Sequence, residues 1–253
     1  MSVLPTQKTE PVTQDPKNLI IYSSPKTGKT SALAQLPNNL IVDMENGTKY
    51  VSGFVTHAEN YKDLYKIAKA LKEEEHPYKF VTLDTVTALE DICLDLAAKR
   101  YQQSPIGKNW DGVGKDILKL PSGAGYFWQR EAMQEIIGWF ESTGLNLILV
   151  CHVKDKMITE SSGELGIRAI DLSGKTGNIL SAKSDAIGFA YREPEENAVY
   201  LSFGTERTIA SSARPKHLNG KKILLSKMAE DGNLETFWPS IYPSLKEENV
   251  KAS

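Results

Sequence analysis

Residues 18–33, NLIIYSSPKTGKTSAL, restrict the possible fold more than any other part of the chain. Leu19, Ile20, Ile21 and Tyr22 form the short continuous apolar run expected of a strand buried on both faces. A polar turn follows, Ser23-Ser24-Pro25-Lys26-Thr27, and Gly28-Lys29-Thr30-Ser31 open a helical pattern that Pro37 closes. Strand, loop and helix in that order are the context of a phosphate loop, G-x-x-x-x-G-K-[ST], with Ser23 standing at the first glycine position. In such a loop successive backbone N–H groups and the helix N-terminus surround a β-phosphate. Ser23, Ser24, Pro25, Lys26, Thr27, Gly28, Lys29, Thr30 and Ser31 are therefore the expected nucleotide-binding residues. Lys29 is expected to reach the β- and γ-phosphates and the Thr30 hydroxyl to ligate Mg²⁺. Gly28 sits where backbone passes close to phosphate and where positive φ is needed.

A second buried strand is expected at Asn39–Asp43, followed by Met44 and Glu45, so that two carboxylates sit at a strand's C-terminal end. Open α/β sheets bind ligands there. Residues 61–75 carry Leu64, Ile67, Ala68 and Leu71 at helical spacing, and Pro77 ends that pattern. A third strand over 79–84 ends in Asp84, which fits a Walker B segment whose carboxylate serves Mg²⁺. Thr87 and Glu90 fit a capping box opening the next helix. The run at 145–151 is the most apolar in the chain and predicts a central strand, with His152 directly after it. Another helix is expected over 127–140, and short strands at 186–191, 198–201 and 223–225 predict antiparallel additions to the sheet.

Two stretches break the periodicity. Residues 101–126 and 154–183 are rich in Gly and Lys and predict long, functional surface loops. The GKTG at 174–177 is not preceded by a buried strand, so a second phosphate loop is excluded there. Residues 1–16, with three prolines, predict a flexible arm; 17–245 form one domain and 246–253 a polar tail.

A net charge of −2 over 253 residues provides no global basic field, so any nucleic-acid contact must be local or built by assembly. Cys93 and Cys151 lie far apart in apolar runs and predict reduced core residues of a cytoplasmic protein. No long apolar span points to a membrane.

Taken together, the phosphate loop, Leu40-Ile41-Val42-Asp43-Met44-Glu45, Val81-Thr82-Leu83-Asp84-Thr85 and the strand ending before His152 resemble the ATPase core of RecA-like proteins, an AAA-type nucleotide-binding group, in particular small phage-encoded members linked to single-strand annealing and recombination. The resemblance implies an α/β, mostly parallel sheet flanked by helices, with ATP and Mg²⁺ as ligands and ATP hydrolysis as the activity. It implies Glu45 as general base, Lys29 on the triphosphate, Thr30 and Asp84 on the metal, and His152 as the group that senses the γ-phosphate. It further implies single-stranded DNA as a partner in recombination, annealing or replication, through Lys108, Lys115, Lys119, Lys154, Lys156 and Lys175 in the two irregular stretches. A homo-oligomer is implied too, with Lys183 or Arg214 completing a neighbour's site, and phage single-strand-binding or recombination proteins as further partners within the host cytoplasm. Two other readings use the same loop: a non-catalytic nucleotide switch or loader, and a small-molecule kinase, which would carry an arginine-rich lid absent between Leu83 and Cys151.

Overall fold

The structure is a computed structural model describing residue 8, residues 14–160 and residues 163–246. Most of the expected arm over 1–16 and the tail beyond Lys246 lie outside the described residues. Of that arm, Pro16 is buried and the Asp15 carboxylate accepts from the Ser244 backbone and hydroxyl, so its last residues are packed.

The strands are β1 (Asn18–Ser23), β2 (Asn39–Asp43), β3 (Phe54–His57), β4 (Phe80–Asp84), β5 (Asn146–Glu160), β6 (Gly163–Ile170), β7 (Ala186–Glu193), β8 (Ala198–Phe203), β9 (Ser212–Ala213), β10 (Lys221–Met228) and β11 (Leu234–Thr236). They pair in the order β11-β10-β8-β7-β1-β5-β4-β2-β3, with β6 on β5 and β9 on β7. From β7 to β3 every pairing is parallel, whereas β8, β10 and β11 add antiparallel at one side. This is the expected α/β class, except that the 186–191 strand, expected to add antiparallel, runs parallel to β1 as part of the central sheet. The 145–151 run does form a central strand, between β1 and β4.

Strand alternation divides the interior into two cores. Ile20 and Tyr22 of β1, Val81 and Leu83 of β4, and Leu147, Leu149 and Cys151 of β5 face α2 (Tyr61–Glu73), α3 (Val86–Ile92), α4 (Leu94–Gln103) and α5 (Ala124–Glu141). Leu19, Ile21, Phe80, Ile148 and Val150 face the other way, toward α1 (Lys29–Ala34). Burial on both faces is why these strands read as unbroken apolar runs. A six-residue helix cannot cover that second face. The remainder is covered by the C-terminal segment, where Trp238, Ile241, Tyr242 and Leu245 are buried. Trp238 also donates its indole N–H to the Ala32 carbonyl at 2.9 Å, and Tyr242 meets Phe80 edge-on.

Both expected loops contain regular elements, and the first is packed. Within 101–126, α4 runs on to Gln103, 3-10 turns occupy Gly114–Lys119 and Pro121–Gly123, and α5 begins at Ala124. Ile117 is fully buried, and Trp110 packs edge-on against Tyr101. Gly125 is required by close approach, since a Cβ there would lie 2.0 Å from the Ile117 carbonyl oxygen. Such isolated anchors leave no period to detect. Within 154–183, β5 continues past the sheet and forms an antiparallel hairpin with β6, and α6 spans Thr176–Lys183. A ribbon with polar residues on both faces lacks the alternation that betrays a half-buried strand.

The next helix begins differently from expectation. Thr85 is its N-cap, accepting from the Ala88 N–H at 3.2 Å, while Thr87 and Glu90 serve other partners. The edge strand β3 shows only half-buried or exposed side chains, and its sequence carries no distinct apolar run.

Replacing Trp238 by Ala is expected to cost about 3–5 kcal/mol in chemical denaturation, as for a large buried aromatic. Trp238→Phe, losing chiefly the hydrogen bond to α1, should cost about 0.5–1.5 kcal/mol.

Candidate functional site

The C-terminal ends of β1, β2, β4 and β5 meet above the sheet, and each contributes polar side chains there. The chain leaves β1 at Ser23, passes Lys26 at φ 62° and Gly28 at φ 104°, and enters α1 at Lys29. The left-handed conformation at Gly28 lets the backbone turn into the helix, and only glycine adopts it without strain. Lys29 is buried. Its Nζ donates to the Ser23 hydroxyl at 2.5 Å and to the Ser24 carbonyl at 3.2 Å. Burial pulls its pKa below the ordinary lysine value, opposed by the carboxylates of Asp84 and Glu45. Ser23, where the motif has glycine, thus contributes a side-chain acceptor for the buried ammonium.

Period-two alternation in β4 places Phe80, Thr82 and Asp84 on the α1 side. Thr82 donates to the Asn39 side chain at 2.9 Å, and Asn39 donates to the Leu33 carbonyl, tying the end of α1 to two strands. One residue pair further on, Asp84 Oδ2 accepts from the Thr30 hydroxyl at 2.7 Å. Burial raises the Asp84 pKa, and the Thr30 hydrogen bond and Lys29 only partly offset this.

Asp43 and Glu45 have separate tasks. Asp43 accepts from the backbone N–H groups of Glu45, Gly47 and Thr48 and from the Thr48 hydroxyl. Burial raises its pKa, but those hydrogen bonds outweigh burial and leave it below the usual carboxylate value. It is a turn anchor with its oxygens occupied. Glu45 is partly exposed, and its Oε1 accepts from the Thr85 hydroxyl at 2.6 Å and lies 3.2 Å from His152 Nε2. Among the described residues, His152 Nδ1 is buried without a hydrogen-bond partner. A proton on Nε2 leaves Nδ1 as an unfilled acceptor and directs the donor at Glu45.

His152 is also joined to the segment after β6. Its N–H donates to the Thr87 hydroxyl at 3.0 Å, that hydroxyl donates to the Asp171 carbonyl at 3.3 Å, and the Asp171 N–H returns to the His152 carbonyl at 2.9 Å. Two residues on, Ser173 donates its N–H and hydroxyl to Glu90 on α3. Thr85 and Thr87 escaped the sequence reading of the site; their only signal was adjacency to the strand-ending Asp84.

The structure brings Lys29, Thr30, Asp84, Glu45 and His152 together. It does not place Lys183 or Arg214 near them. Asp185 pairs with the start of β1, receiving the N–H of Asn18, and Arg214 is bound to Asp185 and to the Ala182 carbonyl. Both cations therefore lie at the N-terminal end of the sheet, the end opposite the phosphate loop. Of the remaining basic candidates, Lys115 faces Asp91 at 4.0 Å and Lys119 pairs with Asp116 at 2.6 Å, while Lys108 is exposed. Lys154 and Lys156 line a cavity of about 230 Å³ with Gly174 and Gly177, next to Lys175 at the N-cap of α6.

Two cavities flank the phosphate loop. One, of about 260 Å³, is lined by Gly28, Ser31, Gln35, Tyr50 and Val199 among others, and Tyr50 is 98% exposed. The other, of about 420 Å³, is lined by Ser24, Thr27, Asp155, Arg168, Tyr191 and Arg192. No sequence signal marked Tyr50 or these arginines, because they come from distant segments.

Because the folded-state Asp84 carboxyl is held above its ordinary pKa, its contribution to stability is present at acid pH and is lost as pH rises through that raised value. Asp84→Asn should therefore raise the melting temperature of the ligand-free protein at pH 7. The gap should close as pH falls toward the carboxylate range, and a variant less stable than the parent at pH 7 would contradict this.

No curated protein matches the chain. Among solved structures, the crystal structure of the RadB recombinase is similar to it at 14% sequence identity, over 88% of this chain and 92% of that one, with a TM-score of 0.45. A family model described as an AAA domain matches residues 15–222, more than half of the sequence, and the chain belongs to the AAA domain family.

Proposed function

We propose that the protein is a RecA-like, Mg²⁺-dependent ATPase whose nucleotide cycle acts on single-stranded DNA. The observation that carries this reading is the convergence of Lys29, Thr30, Asp84, Glu45 and His152 at one end of the sheet, on or just beyond β1, β2, β4 and β5. The backbone N–H groups of the loop and the Lys29 ammonium bind the triphosphate. A nucleoside extends into the cavity beside Gly28 and Ser31, where the exposed Tyr50 ring is available to cover the base.

The Thr30 hydroxyl and the Asp84 carboxylate form a pair of hard oxygen donors 2.7 Å apart, which fits Mg²⁺, an ion that takes one or two protein oxygens and completes its shell with phosphate and water. When bound, Mg²⁺ supplies charge neutralisation on the phosphate oxygens. Glu45 orients a water and accepts its proton. The Thr85 hydroxyl and His152 both engage Oε1, which fixes the carboxylate and leaves Oε2 for that water. The hydrogen-bonded circuit through Thr87 and Asp171 links this carboxylate to the segment leading into α6.

Lys154, Lys156 and Lys175 cluster on the hairpin and at the start of α6, and they are the favoured DNA contacts. Lys108, Lys115 and Lys119 lie on the packed 104–123 segment; Lys115 and Lys119 face carboxylates there, as Lys154 faces Asp171 at 3.5 Å. Lys183 and Arg214 can act on a triphosphate only as residues of a neighbouring subunit, so a role for them requires a homo-oligomer. Phage recombination, annealing or replication is the setting suggested by the sequence resemblance.

Glu45→Gln should reduce ATP turnover by about 10²-fold or more, as for loss of a general base, with nucleotide affinity retained. Turnover within a few fold of the parent would place the base elsewhere. Lys156→Ala with Lys175→Ala should lower DNA stimulation of the ATPase, and its salt dependence, while leaving the DNA-independent rate unchanged. An ATPase indifferent to single-stranded DNA in the parent protein would remove DNA from the proposal.

A further inference from the structure

Charge around a bound triphosphate has to come from somewhere, and within this chain Lys29 is the only cation hydrogen-bonded to the phosphate loop among the described residues. The two cations singled out by sequence, Lys183 and Arg214, stand at the opposite end of the sheet. Arg192 does not. It is the one arginine lining both cavities that flank the loop, the first with Gly28 and Ser31 and the second with Ser24 and Thr27.

Register explains its position. β7 runs parallel to β1 with Tyr22 opposite Phe189, so Arg192, three residues later, stands at the height where β1 turns into the loop. Alternation sets its face. Ala190 packs in the core beneath α1 whereas Phe189 packs in the other core, and Arg192, two residues after Ala190, shares the α1 side. The side of the sheet on which α1 begins is thus the side on which this residue projects. Pairing of Arg192 with Val199 in the β7–β8 hairpin fixes its backbone, and Val199 Cγ2 lies 3.5 Å from where a Cβ on Gly28 would be. Arg192 is exposed and makes no ion pair among the described residues. Arg168, which lines the second cavity, has its guanidinium stacked 5.5 Å above the Phe189 ring.

We propose that Arg192 is a phosphate-binding residue of the nucleotide site, supplied in cis, which contacts the di- or triphosphate from the β7 side of the loop, across from Glu45. A guanidinium suits this role because it remains charged at any relevant pH and presents paired donors that match phosphate oxygens. The inference rests on the nucleotide reading above and adds a residue to it.

The test is calorimetric titration of the full chain with MgATP and MgADP, comparing the parent protein with Arg192→Ala, Arg192→Lys and Arg192→Gln. Arg192→Ala and Arg192→Gln should each bind both nucleotides about tenfold more weakly, the loss expected for one charge-assisted contact, with a shallower salt dependence. Arg192→Lys should recover part of the affinity. Melting temperatures should be unchanged, since the side chain is exposed and unpaired; should alanine disturb β7, the glutamine variant carries the comparison. Affinities within twofold of the parent in both neutral variants would overturn the assignment of Arg192 while leaving the nucleotide site intact. A parent protein that binds neither nucleotide would overturn the nucleotide reading itself, and this inference with it.

Discussion

The 2.7 Å hydrogen bond between the Thr30 hydroxyl and the Asp84 carboxylate depends on almost everything else in the structure. The two residues are 54 positions apart, Thr30 on α1 after β1 and Asp84 at the end of β4, and β1 and β4 are not adjacent in the sheet. Their meeting requires β5 to insert between β1 and β4 in a register that sets Asp84 level with Ile21. It requires β4 to present Phe80, Thr82 and Asp84 to one face, which the apolar partners of Phe80 and the Thr82–Asn39 hydrogen bond enforce. It also requires a short helix to be held from behind, which Trp238 does through its indole N–H. A buried carboxylate is costly on its own. The second core and the C-terminal segment are what hold Asp84 against that cost.

Around this contact the polar groups fall into two classes. Asp43 and Glu90 have both carboxylate oxygens engaged and act as anchors for loops, Asp43 for its own turn after β2 and Glu90, from 83 residues away, for the turn before α6. Glu45 and His152 are only partly satisfied. One carboxylate oxygen of Glu45 is engaged, and among the described residues one ring nitrogen of His152 is buried without a partner. Groups with spare hydrogen-bonding capacity at the mouth of a site can exchange partners when a ligand arrives, whereas saturated ones resist it. The circuit from His152 through Thr87 to Asp171 joins the changeable pair to a segment that leads directly into α6 and lies against the base of the β5–β6 hairpin.

Much of the α/β framework could be read in advance because its strands are buried on both faces. β1, β2, β4 and the first half of β5 announce themselves as apolar runs, and the order strand, loop, helix at 18–33 brings Lys29 and Thr30 with it. The elements that escaped are those whose burial is one-sided or absent. The edge strand β3, the polar ribbon of β5 and β6, and the 3-10 turns around Ile117 carry no sustained period. Thr85 in place of Thr87 as a helix cap is a similar case. Both threonines can cap, and the choice falls to Thr85 because Thr87 faces His152 and Asp171.

By itself the sequence determined the buried strands, the conformation of the phosphate loop at Gly28 and the identity of the acidic residues at the strand ends. These depend on local properties: which residues tolerate positive φ, and which must leave water. Only the tertiary structure decided that Asp43 is consumed by its own turn while Glu45 stays available, that Arg214 sits at the far end of the sheet, and that Arg192 stands beside the loop. Those outcomes depend on strand order and register, which side-chain chemistry along the chain does not encode locally. Two residues far apart in sequence become neighbours only when the strands between them have taken their places.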